Sequence, residues 1–187
     1  MAIAMSKTRE KYPLSQKKVF KKTITGTLGW IIFLLIMYGF STIFLLSLKG
    51  AISNFLGTVS LGILGLLFFI VALTYLYQQW YFNVYFYDLT DDYVIIKKGP
   101  ITPREITIPY ERIQDVYVDQ DIFDRIFGLY DVHLSSATIS SGMAAHIDGV
   151  EKQAADGLRG LLLEAVSRKI SRNKVQSQSP TNTAPSA

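Results

Sequence analysis

His133 and His146 are the only histidines in the 187 residues, and both stand on the polar side of runs in which apolar residues alternate. With acidic neighbours such a pair could hold a metal ion. No ligand spacing marks a preformed site, however, and two solvated surface histidines are the simpler reading. Ser135, Ser136, Ser140 and Ser141 lack the glycine-framed elbow that exposes and activates a nucleophile. The glycines form neither a phosphate loop nor a dinucleotide fingerprint. Asp91-Asp92 falls where the chain must reverse and reads as turn chemistry, not as a general acid–base pair. Cysteine is absent, which excludes disulfides, thiolate catalysis and Cys-based metal sites. These residues point away from an enzyme and call for no catalytic group, cofactor or metal.

Binding chemistry has better candidates. Arg104, Arg112, Gln114 and Asp115 are polar residues around one short stretch, suited to contacting a peptide or a lipid headgroup. Alternatively Arg112 and Asp115 pair within a sheet and fix its register. Recognition of an inositol phosphate needs several converging cations, preferably with arginine forks. Lys97 and Lys98 are adjacent on a strand and point to opposite faces, and the nearby Asp91-Asp92 loop repels phosphate. Lys17, Lys18, Lys21 and Lys22 could contact anionic lipid, although a topology signal alone accounts for them.

The elements that must position these groups are set by where charge is missing. Between Lys22 and Asp88 the only charged side chain is Lys49, whereas soluble domains are about one-quarter charged. The stretch divides at Lys49-Gly50 into Thr23–Leu48 and Ala51–Tyr77, each longer than the roughly 20 apolar residues that cross a hydrocarbon core. Helices satisfy every backbone group internally and are the economical way across. The hundred or so remaining residues could not wrap both helices inside a soluble protein. The first run is also longer than the roughly 7–15 residues of a signal-peptide core.

Residues 1–22 carry seven basic groups and one acid, so the positive-inside bias places both chain ends in the cytoplasm. Trp30, Tyr75, Tyr77, Trp80 and Tyr81 lie near the span boundaries, as amphipathic rings prefer. No ionisable residue interrupts either span, which argues against a proton or ion pathway. Thr58, Gly62 and Gly65 share a helical face, as do Thr25 and Gly29, and predict close packing between the two helices. Homodimerisation through that face stays open. Residues 83–187 carry eleven basic groups against fourteen acids, so nothing in this half favours nucleic acid.

From Val84 onward the pattern turns to short alternating runs: Val84–Leu89, Tyr93–Lys98, a strand around Ile106 and Ile108 stopped by Pro109, Ile113–Val118, then strands around Val132 and Ala145–Ile147. Ile122–Phe127 suits a single helical turn closed by Gly128. Ala154, Leu158, Leu161, Leu162 and Ala165 mark the apolar face of a helix from about Glu151 to Ile170. Gly157 and Gly160 weaken it by roughly 1 kcal/mol each. The expected organisation is a basic cytoplasmic segment at 1–22, a two-span hairpin at 23–80, a sheet domain at 81–171 and a disordered tail at 172–187.

A hairpin of spans followed by short strands and a final helix resembles the bacterial pleckstrin-homology-like family of the YdbS type. "YDLTDDYVIIKKG" (Tyr87–Gly99) looks like that family's first hairpin, "REITIPYERIQDVYV" (Arg104–Val118) like its third and fourth strands, and "DIFDRIFGLYDVHLSSA" (Asp121–Ala137) like its helical turn and next strand. The resemblance covers roughly Trp80 to Lys169. It implies about seven antiparallel strands in a bent sheet capped by the C-terminal helix, held at the cytoplasmic face of a bacterial-type cell membrane. It also implies partnership with a longer paralogue carrying related domains. The function expected is a membrane-anchored interaction module that binds a protein partner in an envelope-associated complex. The alternative is a peripheral domain that senses anionic lipid.

Overall fold

The computed structural model describes residues 6–46, 51–136 and 145–178. Lys49, Ser140, Ser141 and the end of the expected tail, 179–187, lie outside the described residues. The chain forms two compact units, Gln16–Asn83 and Met1–Ser15 with Val84–Ala187.

The first unit is a pair of long helices, α2 (Lys17–Leu46) and α3 (Ala51–Val84); α1 (Lys7–Lys11) belongs to the second unit. Continuous apolar sequence without proline lets both run uninterrupted. Lys17–Phe44 and Gly57–Val84 are each 28 residues long and apolar enough to cross a membrane, and only 11% and 6% of their most apolar windows is buried. Large side chains such as Phe40, Phe68 and Leu61 are exposed, as lipid-facing residues would be. Phe20 and Tyr75 approach to 5.8 Å between ring centroids, and Lys18 Nζ lies 5.9 Å from the Tyr81 ring centre, so the helices run antiparallel. The small-residue face expected to bring them together is not the seam. Among the described residues, Gly29, Gly62 and Gly65 have nothing within 4 Å of a would-be Cβ, whereas Gly26 lies against Thr74 Cγ2 at 3.8 Å.

The second unit begins with α1 (Lys7–Lys11). After α3 come β1 (Phe86–Leu89), β2 (Tyr93–Lys98) and β3 (Arg104–Pro109), joined as one antiparallel sheet in that order. A 3-10 turn, Tyr110–Arg112, leads to β4 (Ile113–Asp119), then α4 (Ile122–Phe127), β5 (Leu129–Ser136) and β6 (His146–Glu151), which form a second antiparallel sheet. The last helix is α5 (Lys152–Gln178).

The described residues thus contain six strands in two three-stranded sheets, where about seven in one bent sheet were expected. The sheets share no ladder. Pro109 has no N–H to donate and ends β3, and the 3-10 turn after it starts β4 in a new sheet. Val84 ends α3 instead of opening a strand, because the preceding aromatic residues continue the helix. At the other end α5 passes the expected stop at Ile170 and runs to Gln178.

Alternation decides the core. Tyr87, Val94, Ile96 and Ile108 from the first sheet, with Val116, Val132, Leu134 and Ile147 from the second, are buried. The face of α5 carrying Ala155, Leu158 and Leu162 is buried with them. Full burial of each leucine stabilises by about 2–3 kcal/mol, which offsets the two helical glycines. The single turn α4 appears at Ile122–Phe127, capped by Asp121 and closed by Gly128 at φ 67°.

Candidate functional site

The residues before α2 do more than carry charge. The Ser6 hydroxyl accepts the Arg9 N–H at 3.0 Å and caps α1, while donating to Asp88 Oδ1 at 2.8 Å. Thr8 Oγ1 accepts the Leu89 N–H at 3.2 Å. Four residues after Thr8, the Tyr87 hydroxyl donates to the Tyr12 carbonyl, and burial pushes that phenol well above the ordinary tyrosine range. Leu14 is buried and bridges Val150, and the Ser15 N–H donates to Gly149 O at 2.9 Å. Residues 6–15 therefore strap the outer edges of β1 and β6. Gly157 is the counterpart on α5, since a Cβ there would overlap the Tyr12 ring. The sequence reading missed this strap. Its signals were the isolated Leu14 among polar residues and a glycine inside an apolar helical face.

The two remaining sheet edges are the outer sides of β3 and β4, and among the described residues no strand pairs there. Arg112, Gln114 and Asp115 gather at the start of β4 and all three are exposed. A register shift between Ile113 and Asp115 makes Gln114 a bulge, after which the ladder runs regularly from Asp115 opposite Ser135 to Asp119 opposite Asp131. Pairing of Arg112 with Asp115 is not the arrangement. Arg112 lies in the 3-10 turn and Asp115 faces Ser135 across the ladder. Arg104 is elsewhere, at the start of β3 opposite Lys98.

On the outward side of the second sheet, Tyr117, His133 and His146 stand side by side on β4, β5 and β6. Tyr117 and His133 stack at 4.9 Å with 4° between planes, and His133 and His146 at 5.3 Å. His133 Nε2 lies 3.0 Å from Asp119 Oδ1. The histidines are thus half-buried members of a stacked row instead of two solvated side chains. Asp119, Asp131 and His133 bring ligand atoms within 4.8 Å of one another and could hold a cation. Present bonds already employ these groups, with Asp131 Oδ1 accepting the Gly149 N–H at 2.8 Å.

Two clefts sit at opposite ends of the first sheet. One, of about 550 Å³, is lined by the Asp91-Asp92 turn, Tyr110, Arg168, Lys169 and Arg172. Two of its charges engage each other. Lys169 Nζ bonds Asp92 Oδ1 at 2.7 Å and lies 3.7 Å from Glu111. That bond holds the Asp92 carboxyl below the usual carboxylate range and the Lys169 ammonium above its own. The Tyr110 hydroxyl donates to Thr90 O at 2.8 Å, and burial together with Asp91 pushes its pKa up to about 12. The other cleft, of about 420 Å³, lies at the β2–β3 turn between Val84, Lys98 and Arg104. Lys97 and Lys98 diverge as strand geometry requires, with Lys97 bound to Glu105 at 3.0 Å. Of the lysines at the start of α2, Lys17 is exposed and Lys22 half-exposed, while Lys18 and Lys21 are buried.

The sequence profile of the family described as Bacterial PH domain matches residues 28–166. No curated protein and no solved structure gives a match. The profile spans well over half the chain, from the first apolar helix through every strand into α5. The chain belongs to the bacterial PH domain family.

Proposed function

We propose that this protein is a membrane-anchored interaction module of the YdbS-like branch, whose sheet domain binds a protein partner at the cytoplasmic face of a bacterial-type membrane. In this reading α2 and α3 form an integral membrane hairpin, and the seven basic groups up to and including Lys22 keep both chain ends inside. The partner is a second membrane protein, with a longer PH-like paralogue the first candidate. The reading is non-catalytic, in keeping with a family that generally lacks catalysis.

The observation that carries it is the unequal treatment of the sheet edges. At β6 the domain already accepts an extended segment, its own Leu14-Ser15, through the Ser15-to-Gly149 backbone bond. On β4 the regular stretch Asp115–Asp119, paired with β5 on one side, has the same capacity on its outer side, where no strand lies among the described residues. Strand addition draws affinity from such backbone groups and specificity from alternate side chains. Here Asp115, Tyr117 and the bulged Gln114 would provide the specificity.

A photo-crosslinking residue in place of Tyr117, in full-length protein expressed in its native cells, tests the reading. Capture of a larger membrane protein at this position, but not from Leu163 on the exposed face of α5, is the expected result. Recovery of the protein alone after irradiation would remove the support for partner binding.

A further inference from the structure

We infer that the segment joining the outer side of β4 is a basic strand from a different protein, with Lys or Arg at positions i and i+4 and apolar residues at i+1 and i+3. The inference rests on the partner-binding reading and names the chemistry of the occupant.

The ladder fixes which backbone groups of β4 are open. The Leu134 N–H bonds Ala145 O on the β6 side. Leu134 thus turns its backbone polar groups away from β4, and Val116 opposite it turns its own away from β5. Val118, two residues on and opposite Val132, does the same. An added strand would bond the N–H and C=O of these two valines. Their side chains face inward, Val116 buried and Val118 only half-buried. Incoming residues level with them are therefore apolar and extend the core.

Asp115, Tyr117 and Asp119 alternate with the valines and are exposed on the solvent face. Across the ladder they meet Ser135, His133 and Asp131, so neither lysine nor arginine answers the carboxylates from β5. Asp119 gives Oδ1 to His133 at 3.0 Å, yet its side chain is 57% exposed, and a carboxylate accepts further donors. Since the valines form the hydrogen-bonded pairs, these three positions form the closer pairs, with Cα atoms about 4.5 Å apart. Opposite charges support a ladder at such pairs, and like charges oppose it. A strand that fits therefore places a cation level with each aspartate, four residues apart.

The same charges disfavour a second copy of this chain. Antiparallel pairing of β4 with itself about Tyr117 sets Asp115 against Asp119 twice. In the neighbouring registers aspartates remain diagonal to aspartates. Pairing with β3 of a second copy would bring Glu105, exposed on the solvent face of that strand, among them. Charge on an edge guards against self-association, and here it also selects the partner.

Three capped peptides, added to the full-length protein in detergent, test the inference by hydrogen exchange at the Val116 and Val118 amides. Lys-Val-Thr-Val-Lys carries the pattern, and Glu-Val-Thr-Val-Glu reverses its charge. Lys-Pro-Thr-Pro-Lys keeps the charge but has no N–H where the ladder needs one. Only the first should protect both amides. Asp115→Asn with Asp119→Asn should weaken its binding about tenfold, through loss of two close charge pairs. Asp115→Lys with Asp119→Lys should move the preference to the glutamate peptide, which also shows that the altered edge is folded.

Equal protection by the lysine and glutamate peptides, protection by the proline peptide, or none by any of the three overturns the inference. The partner-binding reading fails separately. If the crosslinker at Tyr117 captures a membrane protein through a segment without cations at this spacing, or captures a second copy, the inference falls and partner binding stands. If it captures nothing, both fall.

Discussion

Replacing Gly157 with alanine sets two effects of known size against each other. In an exposed helix the change stabilises by about 1 kcal/mol, because alanine gives up less backbone entropy. Here the new methyl would overlap the Tyr12 ring, so the ring must leave. Full burial of a large apolar side chain is worth about 1.5–3 kcal/mol, and Tyr12 is only half-buried, so about 1 kcal/mol is lost there. Displacing residue 12 also breaks the bond from the Tyr87 hydroxyl, and an unsatisfied buried phenol costs about 1–3 kcal/mol more. Gly157→Ala should therefore destabilise the strap by about 1–3 kcal/mol.

With Tyr12→Ala already present, the same substitution should stabilise by about 1 kcal/mol. The coupling between the two sites is then about 2–4 kcal/mol, far above the few tenths expected of independent positions. Hydrogen exchange of the full chain in detergent reads this at the Ser15 amide, which is protected by its bond to Gly149 O. In the single variant its protection should fall by about tenfold to a hundredfold, at 1.4 kcal/mol per factor of ten. Equal stabilisation by Gly157→Ala in both backgrounds would refute the strap as the reason for that glycine.

Other substitutions test neighbouring features. Gly128→Ala should cost about 1 kcal/mol, because φ is 67° but nothing among the described residues lies within 4 Å of the new methyl. Gly99→Ala should cost clearly more, since it adds a clash with Thr102 O; thermal melts of the two variants rank them. Asp92 has a folded pKa held below its unfolded value by Lys169. Its contribution is present above the unfolded carboxylate pKa of about 4 and disappears as pH falls through the depressed folded value. Asp92→Asn should therefore melt earlier than wild type near neutral pH, and the difference should vanish in acid. Tyr110 has its pKa raised from 10.0 to about 12. Its stabilisation is complete below pH 10 and should be lost as pH rises through about 12, followed by tyrosinate absorbance and absent in Tyr110→Phe.

Local chemistry made several elements readable from residues alone. Asp121, Asp124 and Gly128 specify the one-turn helix α4 at both ends, and the alternation around Val132 and Leu134 fixes which face of β5 is buried. What could not be read depends on partners distant in sequence. Asp88 is an ordinary strand acid until Ser6 donates to it across 82 positions. His133 looks solvated until Tyr117 and His146 arrive from the neighbouring strands. Arg104 is a candidate contact from sequence, but its cross-strand neighbour is not readable there, because only the register places Lys98 opposite it.

The strap gives these distant contacts a common consequence. Residues 6–15 hold β1, which follows α3 in the chain, and β6, and they run directly into α2. β1 and β6 are the outer strands of two different sheets that share no ladder. Releasing the strap would require breaking the Ser6–Asp88, Tyr87–Tyr12 and Ser15–Gly149 bonds together. At about 1 kcal/mol for each net hydrogen bond, with the buried Leu14 in addition, that restraint is several kcal/mol. It ties the outer strand of one sheet to the outer strand of the other within the same unit.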